Sequence, residues 1–284
     1  MGIEFEAKFL NININEIRNK LKNNGAKLEH ETLKFYRAVF FRCDKENPPI
    51  RGFVRVRDEG KKITMTVKTY KDPKFPEEHE VSINESFETG INFLKALGIN
   101  QKAFQESYRE KWNHPLAHEI TIDILPGLPI YMEIDCTSEE NLNKLIKLLN
   151  LDDKHKRFGA FDKTYKEYYG IETDIINDKT ESLTFNNIKN EINPINNLDL
   201  FLDISSLNKE LDKYYKNQNI EKYFEKYMDI YNKYFNNNQL SRIKLKVTKK
   251  NSKTSKKTSK KTSKKTSKKT SKKTSKKSNK NFSL

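Results

Sequence analysis

The first ten residues of the chain alternate charged with apolar side chains. Glu4, Glu6 and Lys8 are separated by single apolar residues, so in a β-strand, where side chains repeat every two residues, they share one face. Two carboxylates at neighbouring levels of one face repel each other unless a cation lies between them. The segment therefore predicts a strand whose charged face meets cationic partners elsewhere in the fold.

Six later segments repeat this alternation, and each carries charges of one sign. A merely solvated sheet face is the alternative for any single strand, but such a face would mix acids, bases and uncharged polar residues. Sorting by sign instead indicates an enclosed interior that contains both signs. Its acidic members are Glu78, Glu80, Asp123, Glu133 and Asp135, and its basic members are Arg55, Arg57, Lys68, Arg109 and Lys111.

An interior of this kind suits a ligand of dense negative charge that arrives with metal ions. The planar guanidinium of arginine fits phosphate oxygens, and paired carboxylates in a confined place require a divalent cation. A polyphosphate chelated by Mg²⁺ or Mn²⁺ has both properties. The residue inventory therefore points to chemistry on a polyphosphate.

Short turns and alternating segments predict the elements that must position these residues. Helices are expected at 13–24, 86–97 and 139–149, because apolar residues recur there at helical spacing. The fold class is therefore α+β, with an antiparallel barrel or a strongly curved sheet and peripheral helices. Strands are predicted at 29–42, 52–58, 63–68, 78–83, 103–112, 118–125 and 130–136.

The composition changes after residue 170. Residues 171–197 are predicted to be a polar, Asn-rich connector, and Leu207–Phe235 a helix with one broad, tyrosine-rich face. That face is expected to pack on the barrel or on a second helix; stacking of the tyrosines on nucleic-acid bases is the less favoured alternative.

The C-terminal residues 248–284 contain sixteen lysines and no acidic residue, with six copies of Thr-Ser-Lys-Lys between 254 and 277. The remaining 39 basic residues match the 39 acidic residues, so the tail carries the whole formal charge of +16. Because the repeats have no apolar residue to bury, this tail is predicted to be disordered and to contact RNA or DNA non-specifically. A passive low-complexity expansion is the alternative.

Cysteine usage and hydropathy indicate where in the cell the protein is expected. Cys43 and Cys136 lie far apart, in no zinc-binding spacing, and are expected to be reduced thiols. No secretory signal and no apolar run of about 18 residues are visible. An intracellular, soluble protein is expected, cytoplasmic or, given the lysine-rich tail, nuclear.

The segment Glu4-Phe5-Glu6-Ala7-Lys8 resembles the N-terminal ExExK signature of the CYTH superfamily, the triphosphate tunnel metalloenzymes. Later pieces resemble the family in the same order, over about residues 1–170. These pieces are Arg55-Val56-Arg57, Lys68, Glu78-His79-Glu80, Arg109 with Lys111, Asp123 with the Gly127-Leu128 turn, and Glu133-Ile134-Asp135. In the last piece, Asp135 stands where the family more usually has Glu.

The resemblance implies a closed, eight-stranded antiparallel β-barrel that forms a tunnel. The sequence pattern adds a helical extension within 171–247 and the basic tail. It implies Mg²⁺ or Mn²⁺ bound by Glu4, Glu6, Glu133 and Asp135, with Glu78, Glu80 and Asp123 holding a second metal ion or orienting water. The phosphate-binding residues would be Lys8, Arg55, Arg57, Lys68, Arg109 and Lys111.

The activity implied by the resemblance is metal-dependent hydrolysis of a triphosphate. The substrate would be inorganic triphosphate, a nucleoside triphosphate, thiamine triphosphate or an RNA 5′-triphosphate end. A class IV-type adenylyl cyclase making cyclic AMP from ATP is one alternative. A non-catalytic polyphosphate- or nucleic-acid-binding protein is another.

Overall fold

The computed structural model describes residues 2–3 (as backbone), 5–42, 52–71 and 76–236. Glu4, Cys43 and the lysine-rich tail therefore lie outside the described residues. Antiparallel strands dominate the first half of the chain. The strands of the described residues are β1 (Gly2–Ile3), β2 (Phe5–Phe9), β3 (Lys27–Phe41), β4 (Gly52–Asp58), β5 (Ile63–Thr69), β6 (Glu77–Ile83), β7 (Gln101–His114), β8 (Ala117–Ile124), β9 (Tyr131–Cys136), β10 (Lys156–Arg157) and β11 (Ser182–Leu183).

The sheet follows the order β1-β6-β5-β4-β3-β7-β8-β9-β2-β10, and β11 adds to β7 in parallel. Strands β1 and β2 are successive pieces of one N-terminal segment, so the path starts at this segment and returns to it at β2, one strand before its end at β10. β2 pairs with β9 over five residues, whereas β1 pairs with β6 at only two positions, Gly2–Glu78 and Ile3–Glu77. The fold is therefore α+β with a curled antiparallel sheet, and the predicted full closure into an eight-stranded barrel is not confirmed.

Three amphipathic helices cover the outward, apolar face of the sheet, close to their predicted positions. They are α1 (Ile14–Asn23), α2 (Phe87–Ala96) and α3 (Glu139–Leu148). Each begins after a side chain that accepts a hydrogen bond from a backbone N–H of the first turn: Asn13 for α1, Ser86 for α2 and Ser138 for α3. Ile14, Leu21 and Leu145 are fully buried against the strands. The charged residues are thereby left to the opposite face.

The segment after residue 170 is less of a polar connector than predicted. Ile176, Leu183 and Ile188 have no exposed surface. They join a core cluster with Leu125 and Tyr165. Their apolar side chains are irregularly spaced among asparagines, so no helical or strand periodicity in the sequence predicts that they are buried. The helical elements here are α4 (Asp162–Tyr169), a π-helical turn (Ile175–Lys179), α5 (Ile188–Glu191), α6 (Leu198–Lys216) and α7 (Ile220–Tyr234).

The single helix predicted over Leu207–Phe235 is wrong, because two helices occupy this stretch. α6 ends at Lys216, and Gln218 takes a left-handed backbone conformation (φ 54°) that a continuous helix excludes. The tyrosine-rich face packs as expected: Tyr223 and Tyr227 are 1% exposed. Tyr227 accepts a hydrogen bond from the backbone N–H of Ile130 at 3.0 Å. Stacking of these two tyrosines on bases is therefore excluded.

Among the described residues, no helix is both long and apolar enough to cross a membrane. Cys136 is a buried free thiol. Burial, followed by the neighbouring Asp135, raises its pKa to about 12. The thiol is therefore unreactive at neutral pH.

Candidate functional site

The curled sheet lines a charged cavity of about 340 Å³. Side chains alternate along each strand, so the residues that share a face in the sequence point together into this space. All the predicted site residues that the structure describes reach it, except Asp123. They are Glu6, Lys8, Arg55, Arg57, Lys68, Glu78, Glu80, Arg109, Lys111, Glu133 and Asp135.

The charged face of β2 meets both carboxylates and cations of neighbouring strands. Glu6 lies opposite Asp135, and Lys8 lies opposite Glu133. The Lys8 Nζ atom is 2.6 Å from Glu133 Oε2 and 3.7 Å from Glu6 Oε1. Lys68 approaches Glu6 from β5, with Nζ 3.4 Å from Oε2. Two lysines from different strands thus hold these carboxylates together.

Strands β4 to β6 form a second paired group. The Arg55 Nη2 atom is 3.1 Å from Glu78 Oε1 and 3.4 Å from Glu80 Oε2. Arg57 forms ion pairs with Glu59 and, at 3.5 Å, with Glu80. Thr66 donates a hydrogen bond to Glu80 at 2.9 Å. The Glu78 and Glu80 carboxylates therefore orient the two arginines.

Asp123 lies behind the cavity wall, not on it. Its carboxylate accepts two hydrogen bonds from Arg109, at 2.6 Å from Nε and 3.0 Å from Nη2. Thr121 donates a third at 2.7 Å, and Asp123 is 2% exposed. This bidentate pairing fixes the guanidinium of Arg109 toward the cavity.

Sequence reasoning missed several lining residues, chiefly Arg37 on β3 and Glu119 on β8. Glu119 pairs at 3.3 Å with both Arg109 and Lys111. Its alternation with Thr121 and Asp123 was a signal that could have identified it. Arg37 had no such signal, because the residues two before and two after it, Phe35 and Val39, are apolar.

Residues 2–165 match the family model of the CYTH domain. The chain belongs to the CYTH family. This confirms the resemblance found in the sequence, since more than half of the chain is matched.

Several solved structures are similar to the CYTH domain of this chain. A conserved hypothetical protein from Pyrococcus furiosus is 18% identical over 56% of this chain and 97% of its own, with a TM-score of 0.46. A putative adenylate cyclase from Vibrio parahaemolyticus is 15% identical over 57% and 97%, with a TM-score of 0.49. A putative adenylyl cyclase from Hippeastrum, described as having a dominant triphosphatase activity, is 14% identical over 58% and 94%, with a TM-score of 0.40. No curated protein matches the sequence.

Asp135 carries an uncompensated carboxyl in the CYTH cavity. Its Oδ1 atom is buried and has no hydrogen-bond donor in the described part of the chain. Burial, and then the nearby Glu119, Glu6 and Glu133, raise the pKa of Asp135 to about 7. Four acidic groups therefore meet here, and Glu6, Glu133 and Glu119 each form ion pairs, whereas Asp135 has none among the described residues.

Glu133 behaves in the opposite way. Burial would raise its pKa, but Lys8 and then Arg109 outweigh burial and hold the pKa below its usual range. Glu133 thus stays ionised while Asp135 takes up a proton near neutral pH.

The donor set of this CYTH cavity fits a hard divalent cation. Glu6, Glu133 and Asp135 offer carboxylate oxygens, which Mg²⁺ and Mn²⁺ prefer. In the described ranges, no group of three or more acidic, His or Cys side chains is arranged to hold a metal ion by itself. A bound cation would therefore draw further oxygen ligands from water or from a phosphate.

A second cavity of about 310 Å³ continues from the first toward the β4–β5 turn. The two cavities share Arg57, Arg109, Lys111 and Glu119 among their walls. The second adds Leu33 and Phe35, so it combines apolar with charged surface.

Proposed function

We propose that this CYTH protein is a divalent-metal-dependent hydrolase of triphosphates, acting inside the charged cavity. The observation that carries the proposal is the convergence of Lys8, Arg55, Arg57, Lys68 and Arg109, from four different strands, on one enclosed space that also holds carboxylates. Phosphoryl transfer depends mainly on positioning and on neutralising charge, which this arrangement supplies.

Each side chain then has a role that follows from its contacts. The lysines and arginines bind the phosphate oxygens, exchanging their present carboxylate partners for the substrate. Glu6, Glu133 and Asp135, with Glu4 from the sequence, would hold Mg²⁺ or Mn²⁺, which polarises the phosphates and activates water. Glu78 and Glu80 orient Arg55, and Asp123 orients Arg109 through its two hydrogen bonds.

The second cavity bears on the choice of substrate. Its apolar residues Leu33 and Phe35 adjoin the phosphate-binding cations Arg57 and Arg109. A group attached to the phosphate chain would find room there, which supports organic triphosphates beside the inorganic one. Nucleoside triphosphates, thiamine triphosphate and RNA 5′-triphosphate ends are the candidates.

A substrate panel tests the proposal. The purified full-length protein is assayed for phosphate release from each candidate with Mg²⁺ or Mn²⁺, together with cyclic AMP formation from ATP. We expect phosphate release from at least one triphosphate and its loss on chelation of the metal. If cyclic AMP is the main product from ATP, the protein is a cyclase and the hydrolase proposal is wrong.

The variant Glu6→Ala should lower kcat by at least about 100-fold, because it removes one of the carboxylates that would hold the metal ion and an ion-pair partner of Lys8 and Lys68. Asp229→Asn, an exposed acidic residue of α7, is the matched control and should leave turnover unchanged. If the wild type hydrolyses none of the substrates but still binds triphosphate, the protein is a binding protein and not a hydrolase.

A further inference from the structure

Arg37 differs from the other cations of the cavity. Lys8, Arg55, Arg57, Lys62, Lys68, Arg109 and Lys111 each lie within ion-pair distance of a carboxylate. Arg37 lines the same space, but in the described part of the chain it has neither an ion pair nor a hydrogen bond to its Nε or Nη2 atom. Its charge is therefore not compensated from within this part of the protein.

The surroundings of Arg37 make this lack of a partner significant. Both nitrogen atoms are buried, and the guanidinium carbon lies 4.7 Å from the centroid of the Phe161 ring. A buried cation without a hydrogen-bonding partner destabilises the folded state. The cation–π contact with Phe161 compensates this only in part.

Other unsatisfied polar atoms lie beside Arg37 in the sheet. The register places Arg37 directly opposite Arg57 of β4 and Gln105 of β7. Arg57 Nε and Gln105 Oε1 are also buried without hydrogen-bond partners in the described residues. Arg55 and Arg109 are close enough that, after burial itself, they and Arg57 lower the pKa of Arg37 to about 10. This part of the cavity therefore has an excess of positive charge.

We propose that Arg37 binds the anionic substrate directly, completing with Arg55 and Arg57 a subsite for one phosphate group of the polyphosphate chain. The planar guanidinium can donate two hydrogen bonds to one phosphate, which would satisfy the buried Nε and Nη2 atoms together. Arg37 is not among the residues through which the sequence resembles the CYTH family. This proposal rests on the proposed function in one respect: it assumes that the ligand is a polyphosphate, and it does not require that the ligand is hydrolysed.

The test is Arg37→Gln, with calorimetric binding of inorganic triphosphate as the first readout and hydrolysis as the second. We expect the affinity for inorganic triphosphate to fall by about tenfold or more, since charge-assisted hydrogen bonds are lost. The melting temperature of the free variant should stay equal to that of the wild type or rise, because repulsion with the other arginines is removed. Arg37→Lys, which keeps the charge without the fork, should bind with intermediate affinity.

A purely structural role for Arg37 would give a different result. If Arg37 only anchored α4 through Phe161, then Arg37→Gln and Phe161→Leu would lower the melting temperature alike and leave the triphosphate affinity of the folded protein unchanged. That outcome, or an affinity of Arg37→Lys and Arg37→Gln within twofold of the wild type, overturns the proposal. Assays of the wild type test the proposed function separately. If the wild type binds inorganic triphosphate but hydrolyses no triphosphate, the hydrolase proposal is rejected, and the role of Arg37 in binding can still be tested.

Discussion

At the scale of single residues, the cavity is defined by which charges are compensated and which are not. Lys8 and Glu133 neutralise each other at 2.6 Å, and Arg109 is held by Asp123. Within the described ranges, Asp135 and Arg37 lie on the cavity wall without an ion-pair partner, one acidic and one basic. An excess carboxyl fits a cation and an excess guanidinium fits an anion, so the pair matches a metal–polyphosphate complex.

The Asp135 carboxyl predicts a specific dependence of stability on pH. Its pKa is about 7 in the folded protein and about 3.8 when unfolded. Between these values the folded state binds more protons, so in the absence of metal this group makes the free energy of unfolding fall as pH rises from about 4 to 7. Asp135→Asn removes this effect and should be more stable than the wild type at pH 8 in a chelator.

Thermal melts from pH 4 to 8, with chelator and with Mg²⁺, measure this. The higher melting temperature of Asp135→Asn relative to the wild type should disappear below about pH 4. Mg²⁺ should raise the melting temperature of the wild type more than that of the variant. Asp153→Asn, at a residue whose side chain is 74% exposed, is the control. Parallel pH profiles for Asp135→Asn and the wild type would contradict the prediction.

At the scale of elements, the C-terminal helices are tied to the strands that carry the cavity cations. Asp212 of α6 accepts hydrogen bonds from Lys34 of β3, at 2.9 Å, and from Tyr108 of β7. Arg18 of α1 donates to Glu110 of β7, at 3.1 Å from Nε, and to Glu221 of α7. Tyr108 and Glu110 flank Arg109 in sequence. The helices therefore restrain the strand that presents Arg109 to the cavity.

Asp212→Asn should lower the free energy of unfolding at pH 7 by about 1–3 kcal/mol, because it weakens charge-assisted hydrogen bonds to Lys34 and Tyr108. Burial opposes ionisation of Asp212, but Tyr108 and Lys34 hold its pKa below the usual 3.8. The stabilisation is thus present above about pH 4 and lost as pH falls through the folded-state pKa.

Denaturant unfolding at pH 7 and near pH 3 measures the Asp212 contribution. The difference between the wild type and Asp212→Asn should shrink at the lower pH. Asp229→Asn, on the exposed side of α7, should be neutral at both. A pH-independent difference would show that the variant perturbs packing instead of the ion pair.

At the scale of the whole molecule, a formally neutral body is joined to a strongly basic tail. We propose that the Lys-rich residues 248–284 bring a nucleic-acid substrate to the protein through counterion release, without contributing to the chemistry. Phosphorylation of the repeated Ser and Thr residues would cancel that attraction.

Truncation after Val247 tests the tail. If RNA 5′-triphosphate ends are substrates, their hydrolysis by the truncated protein should have a higher KM at low salt, and the two proteins should converge as salt increases. Hydrolysis of inorganic triphosphate should be equal in both, which serves as the internal control. Equal KM values for RNA at low salt would mean that the tail is passive.

Much of the cavity could be read from the sequence because a β-strand converts alternation directly into a shared face. That rule brought Glu6, Lys8, Glu133 and Asp135 to one wall, as the register of β2 on β9 now shows. It failed at Arg37, whose sequence neighbours on the same face are apolar. It failed again at Gln218, where a left-handed residue divides the predicted helix.

The sequence by itself determined the family, the α+β class and the identity of most charged residues in the cavity, since these depend on local period and residue type. Only the tertiary structure decided the pairing: Lys8 with Glu133, Asp123 behind Arg109, and Arg37 without a carboxylate in the described part of the chain. Partner choice depends on strand register and sheet curl, which bring Lys8 to Glu133 across more than a hundred positions of the chain. No local pattern encodes such distances.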